Sequence, residues 1–186
     1  MDKYKNKYRI SSARLLNWDY TNNGAYFITI CTKNRKHFYG EIVANEMILN
    51  EIGITVQKFW LSIPIHFPFV ELGNFVVMPN HMHGILVIEN RPVESLNPKV
   101  YDRRNSVIPK QKNEQMSRIS PKPGSISTII RSYKSVVTTN AHLIDINFHW
   151  QTLFHDHIIR NSKSFETIQN YIADNPKNCG NDEFYS

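Results

Sequence analysis

Two apolar runs, residues 75–78 and 81–88, are separated only by Pro79 and Asn80. Proline sets one backbone angle of a tight turn and asparagine tolerates the unusual one, so the runs are expected to lie side by side as an antiparallel β-hairpin. Any fold for this chain must therefore contain a sheet with this hairpin inside it. The second run, HMHGILVI, begins with two histidines at alternate positions.

The flanking segments supply the rest of an architecture. Residues 1–24 are polar and end in the turn cluster Thr21-Asn22-Asn23-Gly24. Residues 25–32 (AYFITICT) are aromatic and β-branched and predict a strand. From about 45 to 63, Ile48, Ile52, Val56, Phe59, Trp60 and Ile63 recur at helical spacing, and Pro64 closes the pattern. Helical spacing resumes over 125–138 with Ile126, Ile129, Ile130, Tyr133, Val136 and Val137. Residues 152–160 read as a further strand, and Ser164 is positioned to cap a last helix that runs to Pro176. The order β-α-β-β-α-β plus a terminal helix predicts an α+β, ferredoxin-like (split β-α-β) antiparallel sheet with two helices on one face. The other face is then left for chemistry.

Length and charge bound the partners. The 186 residues fit a single domain, 1–186, and the formal net charge of +6 points toward an anionic partner such as nucleic acid. Residues 90–122 hold eight Lys or Arg against three acids, together with four prolines. This segment is read as a basic, mobile insertion, either a solvated linker or an arm that follows a phosphate backbone. The two cysteines, Cys31 and Cys179, are far apart, which argues against a disulfide framework or a zinc ribbon. No apolar run reaches the roughly 20 residues that span a bilayer. A soluble, cytoplasmic protein is expected.

On a strand, side chains alternate faces, so His81 and His83 point the same way, about 7 Å apart along the backbone. Met82 then faces the opposite side with Gly84, where a helix could approach closely. A second pair, His155 and His157, brackets Asp156, and structural roles or DNA contact suit it better. On the last helix, Tyr171 and Asn175 are four apart and share one edge of the stripe formed by Phe165, Ile168 and Ile172. Two neutral imidazoles and an amide oxygen suit Mg²⁺ or Mn²⁺, and a phenol beside them can act as a nucleophile once it loses its proton.

In these segments the chain resembles the HUH single-tyrosine transposases of the IS200-like group, and most of all the REP-associated tyrosine transposases. The resemblance is carried by YFITICTKNR at 26–35, VVMPNHMHGILVI at 76–88, GSISTIIRSYKS at 124–135, HDHIIRN at 155–161 and YIADNP at 171–176. With their spacing they span most of residues 25–178.

The resemblance implies that Tyr171 is the nucleophile and that His81, His83 and Asn175 are the metal ligands. The residue four positions after the tyrosine is commonly Gln in the insertion-sequence branch, and Asn175 agrees better with the REP-associated branch. It also implies a bacterial enzyme that cuts and rejoins single-stranded DNA bearing imperfect, REP-like hairpins, through a 5′-phosphotyrosine intermediate. A monomer acting in cis or a homodimer are both open. Arg35, Lys36, Arg131, Lys134, His157 and Arg160 are the candidate DNA-binding residues. An HUH replication or conjugation nickase, or a catalytically silent nucleic-acid-binding module, are the alternative readings.

Overall fold

A computed structural model describes residues 3–4, 7–8, 18–89 and 121–185. The insertion expected at 90–122 falls almost wholly outside the described residues. The main elements are β1 (Gly24–Cys31), β2 (Gly40–Val43), β3 (Glu46–Leu49), α1 (Glu51–Leu61), a single turn α2 (Ile63–His66), β4 (Val70–Val77), β5 (His81–Ile88), α3 (Ile126–Ala141), β6 (His155–Ile159) and α4 (Ser162–Asp174).

Strands β4, β5, β1 and β6 form, in that order, a four-stranded sheet in which every neighbour is antiparallel. The chain places β1 and β4 apart with β5 between them, which is the split β-α-β arrangement that the order of elements predicted.

Period-2 alternation divides the sheet into two faces. On one face, Tyr26, Ile28 and Ile30 of β1 and Met82 and Leu86 of β5 join Ile52, Val56 and Trp60 of α1 and Ile129, Tyr133 and Val137 of α3 in the main core. Each such fully buried side chain contributes roughly 1.5–3 kcal/mol before entropy is charged against it. The Tyr133 hydroxyl, buried here, donates to the Val56 carbonyl at 3.1 Å.

Gly84 sits under Trp60, and a Cβ built there would overlap the indole ring. The glycine thus sets how closely α1 can lie on the sheet. Gly84→Val is expected to destabilise the fold by about 1–3 kcal/mol or more through overpacking, read as a lowered denaturant midpoint with an unchanged slope.

The opposite face carries a smaller cluster of Ile85, Ile159 and Ile172, flanked by Phe27, Val76, Val87, Phe165 and Ile168. Here α4 lies across the sheet. The β4 register shifts between Leu72 and Phe75, and Gln169 of α4 accepts from the Asn74 N–H there at 2.6 Å.

Several boundaries differ from the sequence expectation. The helix expected from 45 begins at Glu51, because Ala44 and Asn45 both take positive φ (50° and 67°) and turn β2 back into β3. Two successive positive-φ residues are what a tight hairpin turn requires. Ile48 leaves the helical stripe accordingly and is exposed. The strand expected over 75–78 starts at Val70, since the register shift interrupts its alternation. The one expected over 152–160 is ordered as strand only over His155–Ile159. The cap of α4 is Asn161 rather than Ser164: its Oδ1 accepts from the Ser164 N–H at 2.8 Å.

Candidate active site

His81 and His83 are both on the α4 side of the sheet and both fully buried. Each is held through its Nδ1. His83 is opposite Thr29 in the ladder, and its Nδ1 is hydrogen-bonded to the threonine hydroxyl at 2.8 Å. His81 Nδ1 is 2.7 Å from Asn80 Oδ1. An amide oxygen can only accept, so the His81 Nδ1 carries the proton and its Nε2 presents a lone pair. Such outer partners fix a ligand's tautomer and ring orientation. Phe27 stacks on His83 with ring centroids 5.2 Å apart.

Packing of Ile172 into the small cluster sets the roll of α4, and that roll brings Tyr171 and Asn175 over the histidines. The Tyr171 hydroxyl is 3.2 Å from His83 Nε2. Tyr171 is 40% exposed, whereas Asn175 is 1% exposed. Tyr171 thus meets His83 of its own chain.

A fifth group, absent from the sequence reading, completes the arrangement. After α4 the chain turns through Cys179–Asn181 and reverses, placing Asp182 among the other four. Asp182 Oδ2 accepts from the Tyr171 hydroxyl at 3.2 Å and from Asn175 Nδ2 at 2.5 Å. The same oxygen lies 3.3 Å from His81 Nε2 and 3.4 Å from His83 Nε2. Nothing in the local sequence marks Asp182: it sits in a polar tail without periodicity. Phe184 follows it and lies over the imidazoles of His81, His83 and His155. The Arg35 guanidinium in turn donates to the Phe184 carbonyl at 2.6 Å.

The protonation states favour a cation. Burial pushes the His81 imidazole below its ordinary value, so it is neutral at neutral pH. Burial opposes ionisation of Asp182 too, but hydrogen bonds, among them those from Asn175 and the Phe184 N–H, outweigh it and hold the carboxyl well below the usual carboxylate range. A carboxylate oxygen therefore faces the lone pair of His81 Nε2 with no well-aligned hydrogen bond between them, and Asn175 Oδ1 is buried without a partner. The carboxylate oxygen and the His81 lone pair, 3.3 Å apart, repel unless something positive lies beside them.

His81, His83 and Asp182 together form a buried group that can hold a metal ion. Their 3.3–3.4 Å separations match the spacing of neighbouring ligands on an ion with bonds of about 2.1 Å. Asn175 meets this group through its Nδ2, which donates to Asp182, and its buried Oδ1 is left without a hydrogen-bond partner.

His81 also predicts a pH dependence for the metal-free protein. Its folded pKa is depressed, so the unfolded chain binds the proton more readily. The stability contribution is complete above the ordinary value of 6.5 and is lost as pH falls through the lower folded value. Melts in chelator between pH 7.5 and 5 should show this loss, and His81→Gln should flatten it.

The remaining candidates are dispersed. Arg35 stands at the rim through Phe184. Lys36 lies over the Phe38 ring. Arg131 and Lys134 are on α3, against the other face of the sheet. His157 and Arg160 are exposed beside a cavity of about 480 Å³ at the β6 edge. Burial pushes the Tyr171 phenol up to about 12, reinforced by the negative charge of Asp182.

Comparison with known proteins places this geometry. A solved REP-associated tyrosine transposase bound to a REP hairpin superposes with a TM-score of 0.58 at 20% identity, covering 92% of this chain and 75% of that one. The fold is that of a REP-associated tyrosine transposase. The resemblance carried by the sequence segments is thus borne out in the fold. Over 178 residues the chain is also 35% identical to an uncharacterized protein of Haemophilus influenzae, across 94% of this chain and 92% of that protein. The two belong to one family. No protein-family model matches the chain. Among the described residues, no helix of this transposase-fold chain is long and apolar enough to cross a membrane.

Proposed function

We propose that this protein is a metal-dependent endonuclease and strand transferase for hairpin-forming single-stranded DNA, with Tyr171 as its covalent nucleophile. The observation that supports this most directly is the convergence of the Tyr171 hydroxyl, two imidazole Nε2 atoms and the Asn175 amide on one buried oxygen of Asp182. A nucleophile at 3.2 Å from a metal-ligating histidine is close enough to share a phosphate with that metal.

In the proposed reaction the Tyr171 oxygen attacks phosphorus, the P–O3′ bond breaks, and the leaving 3′ oxygen ends as a hydroxyl. The product is a 5′-phosphotyrosine ester, which a 3′-OH can attack in reverse without ATP. His81, His83, Asp182 and Asn175 would hold Mg²⁺ or Mn²⁺, which supplies charge neutralisation at the phosphate. Thr29 and Asn80 keep the imidazoles oriented, and Phe27 fixes the His83 ring from beneath. The phenol must lose a proton that burial and Asp182 hold tightly, so activity should rise as pH rises above neutrality.

The substrate class is supported by the likeness in fold to a REP-associated tyrosine transposase solved with a REP hairpin. Because Tyr171 meets His83 of its own chain, a monomer acting in cis is the simplest working unit. The test is to mix the full chain with labelled single strands bearing imperfect hairpins, in Mn²⁺ or Mg²⁺, and to resolve a denaturation-resistant protein–DNA adduct. DNA binding without any adduct on several hairpins would favour the silent binding module instead.

A further inference from the structure

We infer that the loop at 149–152 and the adjoining face of α3 form a second DNA surface, which grips the sugar–phosphate backbone without reading bases and continues outward from the rim of the active site. This rests on the nuclease reading above for the identity of the polymer.

Two cavities, of about 620 and 430 Å³, share Thr152 as a common wall. The first is lined by Lys33 and Arg35 together with Trp150 and Gln151. Arg35 also lies against Phe184, the residue covering His81 and His83, so this cavity opens at the edge of the site. The second is lined by Arg131 and Lys134 with the hydroxyls of Ser135, Thr138 and Thr139. Four cations and several hydroxyls line the two cavities, and among the described residues no carboxylate does. The cavities elsewhere are different: Glu51 and Asp145 line one and Asp156 lines another.

Arg, Lys, Ser and Thr are the side chains that position phosphates, and they carry no sequence information when they do so. Trp150 lines the first cavity and Phe154 the second, and the Trp150 ring packs among Tyr39, Tyr133 and Phe148. The Trp150 indole N–H donates to Thr138 Oγ1 at 3.0 Å, and Lys134 Nζ lies 5.4 Å from its ring centroid. Lys134 is itself fixed in place, donating to the Gln151 carbonyl at 2.7 Å. Burial pushes its ammonium down to about 8, a desolvated cation that a bound phosphate would stabilise. The hydroxyls and fixed cations suit a sugar–phosphate backbone.

The test measures DNA affinity by anisotropy from 50 to 300 mM NaCl, with a 30-nucleotide single strand and, separately, a 20-base-pair duplex. Each phosphate contact adds about 0.7 (single strand) to 0.9 (duplex) to the slope of log affinity against log salt. Arg131→Ala with Lys134→Ala should lower the slope by about 1.4–1.8. Thr152→Asp, an exposed position that leaves both cations in place, should weaken low-salt binding at least about threefold by repelling phosphate. Lys58→Ala, on the exposed surface of α1, should leave the slope unchanged. Whichever DNA shows the larger loss is the form held there.

An unchanged slope in the double variant, or an equal loss in Lys58→Ala, would overturn the surface. Adduct formation is scored on the same samples. A normal adduct with an unchanged slope removes this surface alone, while a lowered slope with no adduct in the parent protein removes the nuclease reading alone.

Discussion

Tyr171→Phe is expected to abolish the covalent protein–DNA adduct, with strand cleavage falling at least about a thousandfold, equivalent to roughly 4 kcal/mol of barrier. Only the attacking oxygen is removed. The ring keeps its edge contact with Phe27 at 6.1 Å and with His83 at 5.4 Å, so α4 retains its seat on the sheet. The hydroxyl's hydrogen bond to Asp182 is lost from a side chain that is 40% exposed. Stability should therefore change by about 1 kcal/mol or less. A folded, DNA-binding Tyr171→Phe protein that still forms a denaturation-resistant adduct would sink the assignment of the nucleophile, and mapping the attached peptide would name the true one.

His83→Gln is the second large effect. The side chain is buried and touches Thr29, Tyr171 and Asp182, so the variant loses a ligand atom at the centre of the group. In the parent protein, Mn²⁺ at about a hundred times its dissociation constant should stabilise the fold by about 2.7 kcal/mol, which raises Tm by roughly 5–11 °C for a chain of this size. His83→Gln should abolish that rise and reduce metal-dependent cleavage at least about a hundredfold. The comparison is His157→Ala, an exposed histidine on β6 outside the buried group of His81, His83 and Asp182. It should keep the metal-induced rise in Tm. Equal loss in the two variants would show that the second histidine pair belongs to the centre.

The two histidine pairs have the same spacing in the sequence, and burial separates them. His81 and His83 lie on an interior strand with β4 and β1 on either side, whereas His155 and His157 lie on the edge strand β6. Alternation placed each pair on one face, which is a local property of any strand. It carried no information on which strand would be interior, because strand order is fixed by contacts between distant segments.

What the sequence determined alone is periodicity and its consequences: the β5 hairpin, the shared face of the two histidines, the Met82 and Gly84 face under α1, and the edge of α4 that carries Tyr171 and Asn175. Those follow from residues a few positions apart. The tertiary structure alone decided that Asp182, which contacts His83 across 99 positions, completes the buried group. It also decided that the β2–β3 hairpin displaces the start of α1. A carboxylate in an aperiodic tail has no local signature, and its place depends on how the chain returns after α4. The charge pattern behaves likewise. Arg35, Arg131 and Lys134 are scattered in the sequence, and only the fold of the 149–152 loop against α3 gathers them along two adjoining cavities.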